Sequence, residues 1–157
     1  MAYENLLSKG AVAAGGVHSL GTLTVDGATT LTGAVSLTAG ITPVSEARTA
    51  VADPGGGTGV ISAGTDHVVV TSANAAHVIT LPAPVVGKVV TIVNGATGYE
   101  LRSSDPATIA INGGTGAGAE SAIGANVVVV CRCVSATRWI CSNYATAGTE
   151  SATEAAA

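Results

Sequence analysis

The residues best suited to chemistry in this chain are its three cysteines, Cys131, Cys133 and Cys141, and its three histidines, His18, His67 and His77. The cysteines flank a hairpin signal. If Ser135, Ala136 and Thr137 form the loop, Val134 pairs with Arg138, Cys131 faces Cys141 and Cys133 faces Trp139. All four side chains then lie on one face of the strand pair. Zinc would need a fourth ligand there, with His67 or His77 the candidates. The plainer expectation is that the thiols are small buried hydrophobes packed round the indole, with a cross-strand Cys131–Cys141 disulfide as the alternative. Asp66 beside His67 suggests acid–base work, and Ser62 or Ser72 would be the nucleophile. Such catalysis needs a base oriented by a third group, together with an oxyanion site. The spacing supplies neither, so no catalytic residue, no cofactor-binding residue and no metal site is expected, and the chain reads as a non-enzyme.

The glycine-rich pieces give no nucleotide loop. Gly55 to Gly59 and Asn112 to Gly118 lack both a following helix and a Gly-Lys-Ser/Thr sequence, so they read as turns or contact loops. The basic residues, Lys9, Arg48, Lys88, Arg102, Arg132 and Arg138, are scattered, and the formal charge is −4. A nucleic-acid partner would call for clustered Lys and Arg, and none is expected. Arg132 and Arg138 fall on the opposite pleat face from the cysteines, where they read as solvated or as inter-subunit ion pairs.

The elements that would position these groups are short strands. Asp66–Thr71, Val78–Leu81, Val86–Val93, Glu100–Ser103, Thr108–Ile111, Ala125–Val134 and Arg138–Tyr144 are rich in Val, Ile and Thr and bounded by Gly, Pro, Asn or Asp. Such a series predicts an all-β domain over residues 59–147, an antiparallel β-sandwich or jelly-roll-like knob. Val127 to Cys131 is apolar on both pleat faces, which predicts a central strand covered on both sides.

Upstream, Gly21 to Thr42 reads GTLTVDGATTLTGAVSLTAGIT. Thr and Val favour extended backbone, and the glycines mark corners. Leu23, Val25, Leu31, Val35, Leu37 and Ile41 are its large aliphatics. Burying them returns less free energy than ordering the segment costs, so other chains or a docking surface must supply the rest. These six positions are the candidate trimer interface of a repetitive β-shaft spanning residues 21–42. Residues 1–20 read as an N-terminal arm and residues 43–58 as a linker containing Asp53-Pro54-Gly55-Gly56-Gly57. Residues 148–157 form an acidic, Ala-rich tail.

Composition points the same way. Only 10% of the residues are charged, against about 25% in an average soluble protein. Mean hydropathy is +0.51, yet no uninterrupted apolar run approaches the ~20 residues of a membrane span. A chain this apolar and weakly charged should bury much of its surface in interfaces. Met1 to Lys9 has no secretion-signal pattern, and an odd number of cysteines suits a reducing compartment.

From Val78 to Ser142 the chain resembles a β domain common in virion proteins of tailed bacteriophages. The matching residues are Thr80-Leu81-Pro82, Gly87, Thr91 to Asn94, Ile111 to Gly114, and Trp139 after a Val-rich strand. LTVDGATTLTG is similar to the trimeric β-shaft repeats of phage fibres and decoration proteins. The resemblance implies a homotrimer in the virion, made in the host cytoplasm. A shaft so short favours a squat knob that cements a capsid by binding the major capsid protein. A short tail fibre or spike recognising a host glycan is the alternative, and a head–tail adaptor a further one. The few aromatics argue against a sugar-binding tip.

Overall fold

The computed structural model describes residues 42–157. The arm, His18 and all but the last residue of the expected shaft lie outside the described residues, and so do Leu23, Val25, Leu31, Val35, Leu37 and Ile41.

The strands are β1 (Ser45–Thr49), β2 (Val51–Ala52), β3 (His67–Thr71), β4 (His77–Thr80), β5 (Val89–Asn94), β6 (Tyr99–Arg102), β7 (Ala110–Ile111), β8 (Glu120–Ile123), β9 (Val127–Ser135), β10 (Arg138–Ala145) and β11 (Glu150–Ala152). They form two mixed sheets. The larger has the order β1-β3-β5-β9-β10-β11, with β7 also on β10, and the smaller runs β2-β4-β6-β8. Both contribute to one core: Val68, Val70, Val90, Ile92, Val129 and Trp139 from the larger, Ile79, Leu101 and Ile123 from the smaller.

The all-β expectation holds, but the pairing is not purely antiparallel. β1 pairs with β3, β3 with β5, β4 with β6 and β7 with β10 in parallel. The chain order explains this. From β1 to β6 each strand lies in the opposite sheet from the one before it. A strand that returns through the opposite sheet can re-enter its own running the same way, as parallel pairing requires and as β3, β5 and β6 do, whereas β4 returns antiparallel to β2. Only later, at β9 and β10, does a tight hairpin join neighbouring strands.

The expected linker, 43–58, is not a linker throughout. Its middle is β1 and β2, an edge strand of each sheet, joined through buried Ala50. The charges of Glu46 and Arg48 hide the strand in the sequence, but they fall on one half-buried face and pair with each other. The tail also departs from expectation. Residues 150–152 form β11, Thr153 and Ala156 are buried, and Ala157 exchanges amide bonds with Glu120 of β8 at 3.3 and 3.4 Å. Thus 45–52 spans from sheet to sheet along one side of the core, and 150–157 does so along the other. Gly114 makes room for this second span, since a Cβ there would overlap the Ala156 carbonyl.

Two asparagines complete the ladders where strands give out. Asn112, in the left-handed region at φ 50, donates from Nδ2 to the carbonyls of Cys141 and Thr153 and accepts the Cys141 N–H at Oδ1. Asn94 donates to the Thr97 and Gly124 carbonyls and accepts the Val127 N–H. Each amide stands in for a missing piece of backbone, leaving fewer buried polar groups unpaired.

Candidate functional site

The hairpin brings the thiols together as their spacing implied. Cys131 faces Cys141 and Cys133 faces Trp139, all buried on the inner face. The tip differs. Ser135 pairs with Arg138, and a bulge at Val134 restores the expected register from Trp139 onward. The Cys131 and Cys141 sulfurs lie 2.9 Å apart, and the Cys133 thiol donates to the Ser135 carbonyl at 3.2 Å. Burial, followed by the contact with Cys141, pushes Cys131 well above the ordinary thiol range, and burial raises Cys133 too. Thiols held protonated are poor nucleophiles and poor metal ligands. Neither His67 nor His77 joins them, and among the described residues no three His, Cys, Asp or Glu side chains are grouped to hold a metal.

Asp66 and His67 line an open groove of about 390 Å³ with Pro43, Gly87, Lys88, Val89 and Thr91. The acid is engaged. Lys88 Nζ donates to Asp66 at 2.8 Å, and this bond, against some opposing burial, holds the carboxyl below its usual range. Neither candidate serine completes a relay. The Ser72 hydroxyl donates to the Asn74 carbonyl within the β3–β4 turn, while Ser62 oxygen accepts from Arg48. Arg132 and Arg138 are exposed on the outer face, as their parity required.

Arg102 is the polar centre that sequence reasoning missed. Its guanidinium donates to Asp53, the Pro54 carbonyl, Glu120 and the Ala117 carbonyl. It ties the turn after β2 to the loop before β8. Burial and the neighbouring Asp53 carboxylate outweigh Arg102 and raise Glu120 above the usual carboxylate range. No local motif announces such a contact, because its partners are distant in sequence.

Glu46 gives a pH signature. Burial disfavours its charge, but hydrogen bonds from Arg48, the Ser62 amide and neighbouring hydroxyls prevail and hold it at about 2, from an ordinary 4.5. A depressed folded value adds stability above the unfolded pKa and loses it as pH falls through the folded one. The Glu46→Gln variant should therefore be less stable near neutral pH by about 1 kcal/mol, after allowance for solvent screening. The gap should close between 4.5 and about 2. Urea titrations across that range check this, and a gap independent of pH would sink it.

The outer face of the larger sheet carries aliphatic side chains on adjoining strands. Following the register, Ala47, Val69, Val93, Val128 and Tyr144 lie in one row, His67, Thr91, Val130 and Ser142 in the next, then Val89, Arg132 and Ile140. Val69 is 49% exposed, and Val89, Val93, Val128, Val130 and Ile140 are half-buried. The second cover expected over Val127–Cys131 is not supplied by any strand or helix among the described residues.

Searches of family models, of curated proteins and of solved structures each return no match to this chain.

Proposed function

We propose that the protein is a non-enzymatic virion component that decorates and cements a bacteriophage capsid as a homotrimer, with the major capsid protein as its partner. The observation that carries this reading is the outer face of the larger sheet. Valines occupy adjoining positions on strand after strand, in a chain with few charges to keep such a face in water. Contiguous apolar surface of this kind marks contact sites. The resemblance of the Val78–Ser142 motifs to phage virion domains gives the contact its setting. Leu23, Val25, Leu31, Val35, Leu37 and Ile41 would form the shaft that joins three copies, and residues 1–20 the arm that anchors each to the capsid. Three weak arm contacts per trimer add up through avidity.

Native mass spectrometry and co-sedimentation with undecorated capsids test the proposal. The full-length protein should run as a trimer, pellet with capsids and raise their resistance to heat. A chain starting at Gly21 should stay trimeric and remain in the supernatant. Because the arm carries only Glu4 and Lys9 as charged side chains, attachment should be only weakly sensitive to salt. A stable monomer of the full chain would overturn the trimer, and equal binding by the truncated form would overturn the anchor. Binding to host cells but not to capsids would favour the glycan-recognising fibre instead.

A further inference from the structure

We propose that Cys131 and Cys141 are a preformed disulfide site, closed by thiol–disulfide exchange with a small-molecule disulfide, while Cys133 stays free. The geometry is set by the backbone. The Cys141 N–H donates to Asn112 Oδ1 at 2.8 Å, and its carbonyl accepts from Thr153 N and Asn112 Nδ2. Both groups therefore point away from β9, so Cys131 and Cys141 form a non-hydrogen-bonded antiparallel pair. In such pairs the Cα atoms stand about 4.5 Å apart and the side chains are closest. That separation lies inside the range a disulfide spans. The sulfurs are already 2.9 Å apart, and closing to the ~2.05 Å of a bond needs only small side-chain rotations. Cys133 is otherwise placed. It lies on the same strand and face as Cys131, opposite the Trp139 ring, with its thiol donated to Ser135.

With oxidised glutathione as oxidant, one cysteine thiolate attacks a glutathione sulfur. The glutathione S–S bond breaks and one glutathione thiolate leaves. The second cysteine then attacks the protein sulfur of the mixed disulfide and expels the other. Two protein thiols are oxidised, one glutathione disulfide is reduced to two thiols, and the protons lost by the cysteines end on them. Because both thiols are buried, attack waits on opening of the hairpin. Closure should be slow in native buffer and faster in urea just below the unfolding midpoint. If the virion reading above is right, the bond would form once the particle leaves a reducing cytoplasm, but the chemistry of the site does not depend on that reading.

The test is a peptide map of the purified full-length chain after exposure to oxidised glutathione in sub-denaturing urea. The expected product has lost two hydrogens, links Cys131 to Cys141 and leaves Cys133 open to alkylation. Its melting temperature should rise by on the order of 10 °C. Cys133→Ala should give the same link, whereas fully denatured chain should give mixed pairings. A chain that stays reduced in sub-denaturing urea, or one linked through Cys133 or between molecules, would overturn the proposal. The map is read on isolated protein, so its failure and the failure of capsid binding are separate outcomes.

Discussion

Replacing Gly114 with valine should cost about 3 kcal/mol and release the segment from Thr153 to Ala157. The Cβ would overlap the Ala156 carbonyl and crowd its carbon and nitrogen at 2.6 and 2.7 Å, all backbone atoms that cannot swing aside. What leaves with the segment is definite. Thr153 N–H bonds the Cys141 carbonyl, Ala156 N–H the Ile111 carbonyl, and Ala157 the Glu120 backbone in both directions. Each such bond contributes about 1 kcal/mol, and its loss leaves groups beside the core unpaired. Urea denaturation measures the loss, and carboxypeptidase should digest the variant's tail faster. Deleting residues 153–157 from the wild type should cost a similar amount, while deleting them from the Gly114→Val variant should add little, because both changes remove one set of contacts. Additive losses would show that Gly114 acts elsewhere.

Trp139→Ala should be the most damaging single truncation, at about 3–5 kcal/mol. Trp139 is fully buried, the largest side chain so placed, and its strand holds both Cys141 and the contact to β7. Against a typical domain stability of about 5–15 kcal/mol, that loss takes a large share of the fold. Trp139→Phe provides the contrast. The indole N–H is buried with no hydrogen-bond partner among the described residues, so a ring without it forfeits volume but no bond. Its cost should stay below half that of the alanine change. Circular dichroism must follow both, since the chain has one tryptophan and the variants lose its fluorescence. A phenylalanine variant as unstable as the alanine one would mean the indole N–H is bonded after all.

Strands that carried their own signal were legible in the sequence. β3, β5 and β9 are rich in Val, Ile or Thr, β10 alternates inward Trp139 and Cys141 with outward Arg138, Ile140 and Ser142, and all four fall within a few residues of their expected bounds. The inward set of the hairpin followed from parity alone, because a period of two leaves only two choices of face. The strands that were missed have their cause elsewhere in the molecule. Glu120-Ser121-Ala122-Ile123 has little β preference but pairs along the whole of β6, and Glu150-Ser151-Ala152 has none but lies along β10. Tertiary contact decides such segments. Parallel pairing was missed because reading successive strands as hairpins assumes that neighbours in sequence are neighbours in the sheet, whereas the first strands alternate between sheets. The motif residues turned out to be architectural. Asn94 and Asn112 close ladders, and Gly114 admits the tail. The thiol pair was readable as a juxtaposition, but its backbone polarity was not, since that depends on Asn112 and Thr153. Leu23 to Ile41 lie outside the described residues and remain a proposal.

The placement of β1 has a mechanical consequence. Tension reaching it along the chain first meets the ladder at Val44, whose carbonyl accepts the Asp66 and His67 N–H groups. Five register pairs join it in parallel to β3, from Ser45–His67 to Thr49–Thr71. A pull along the strand axis loads all five in shear together, whereas a pull across it peels them one after another from the Ser45 end. Beyond Thr49 the same chain becomes β2 in the other sheet, so force that survives the first ladder divides between both layers. The β1–β3 edge should therefore resist a lengthwise tug better than a sideways one.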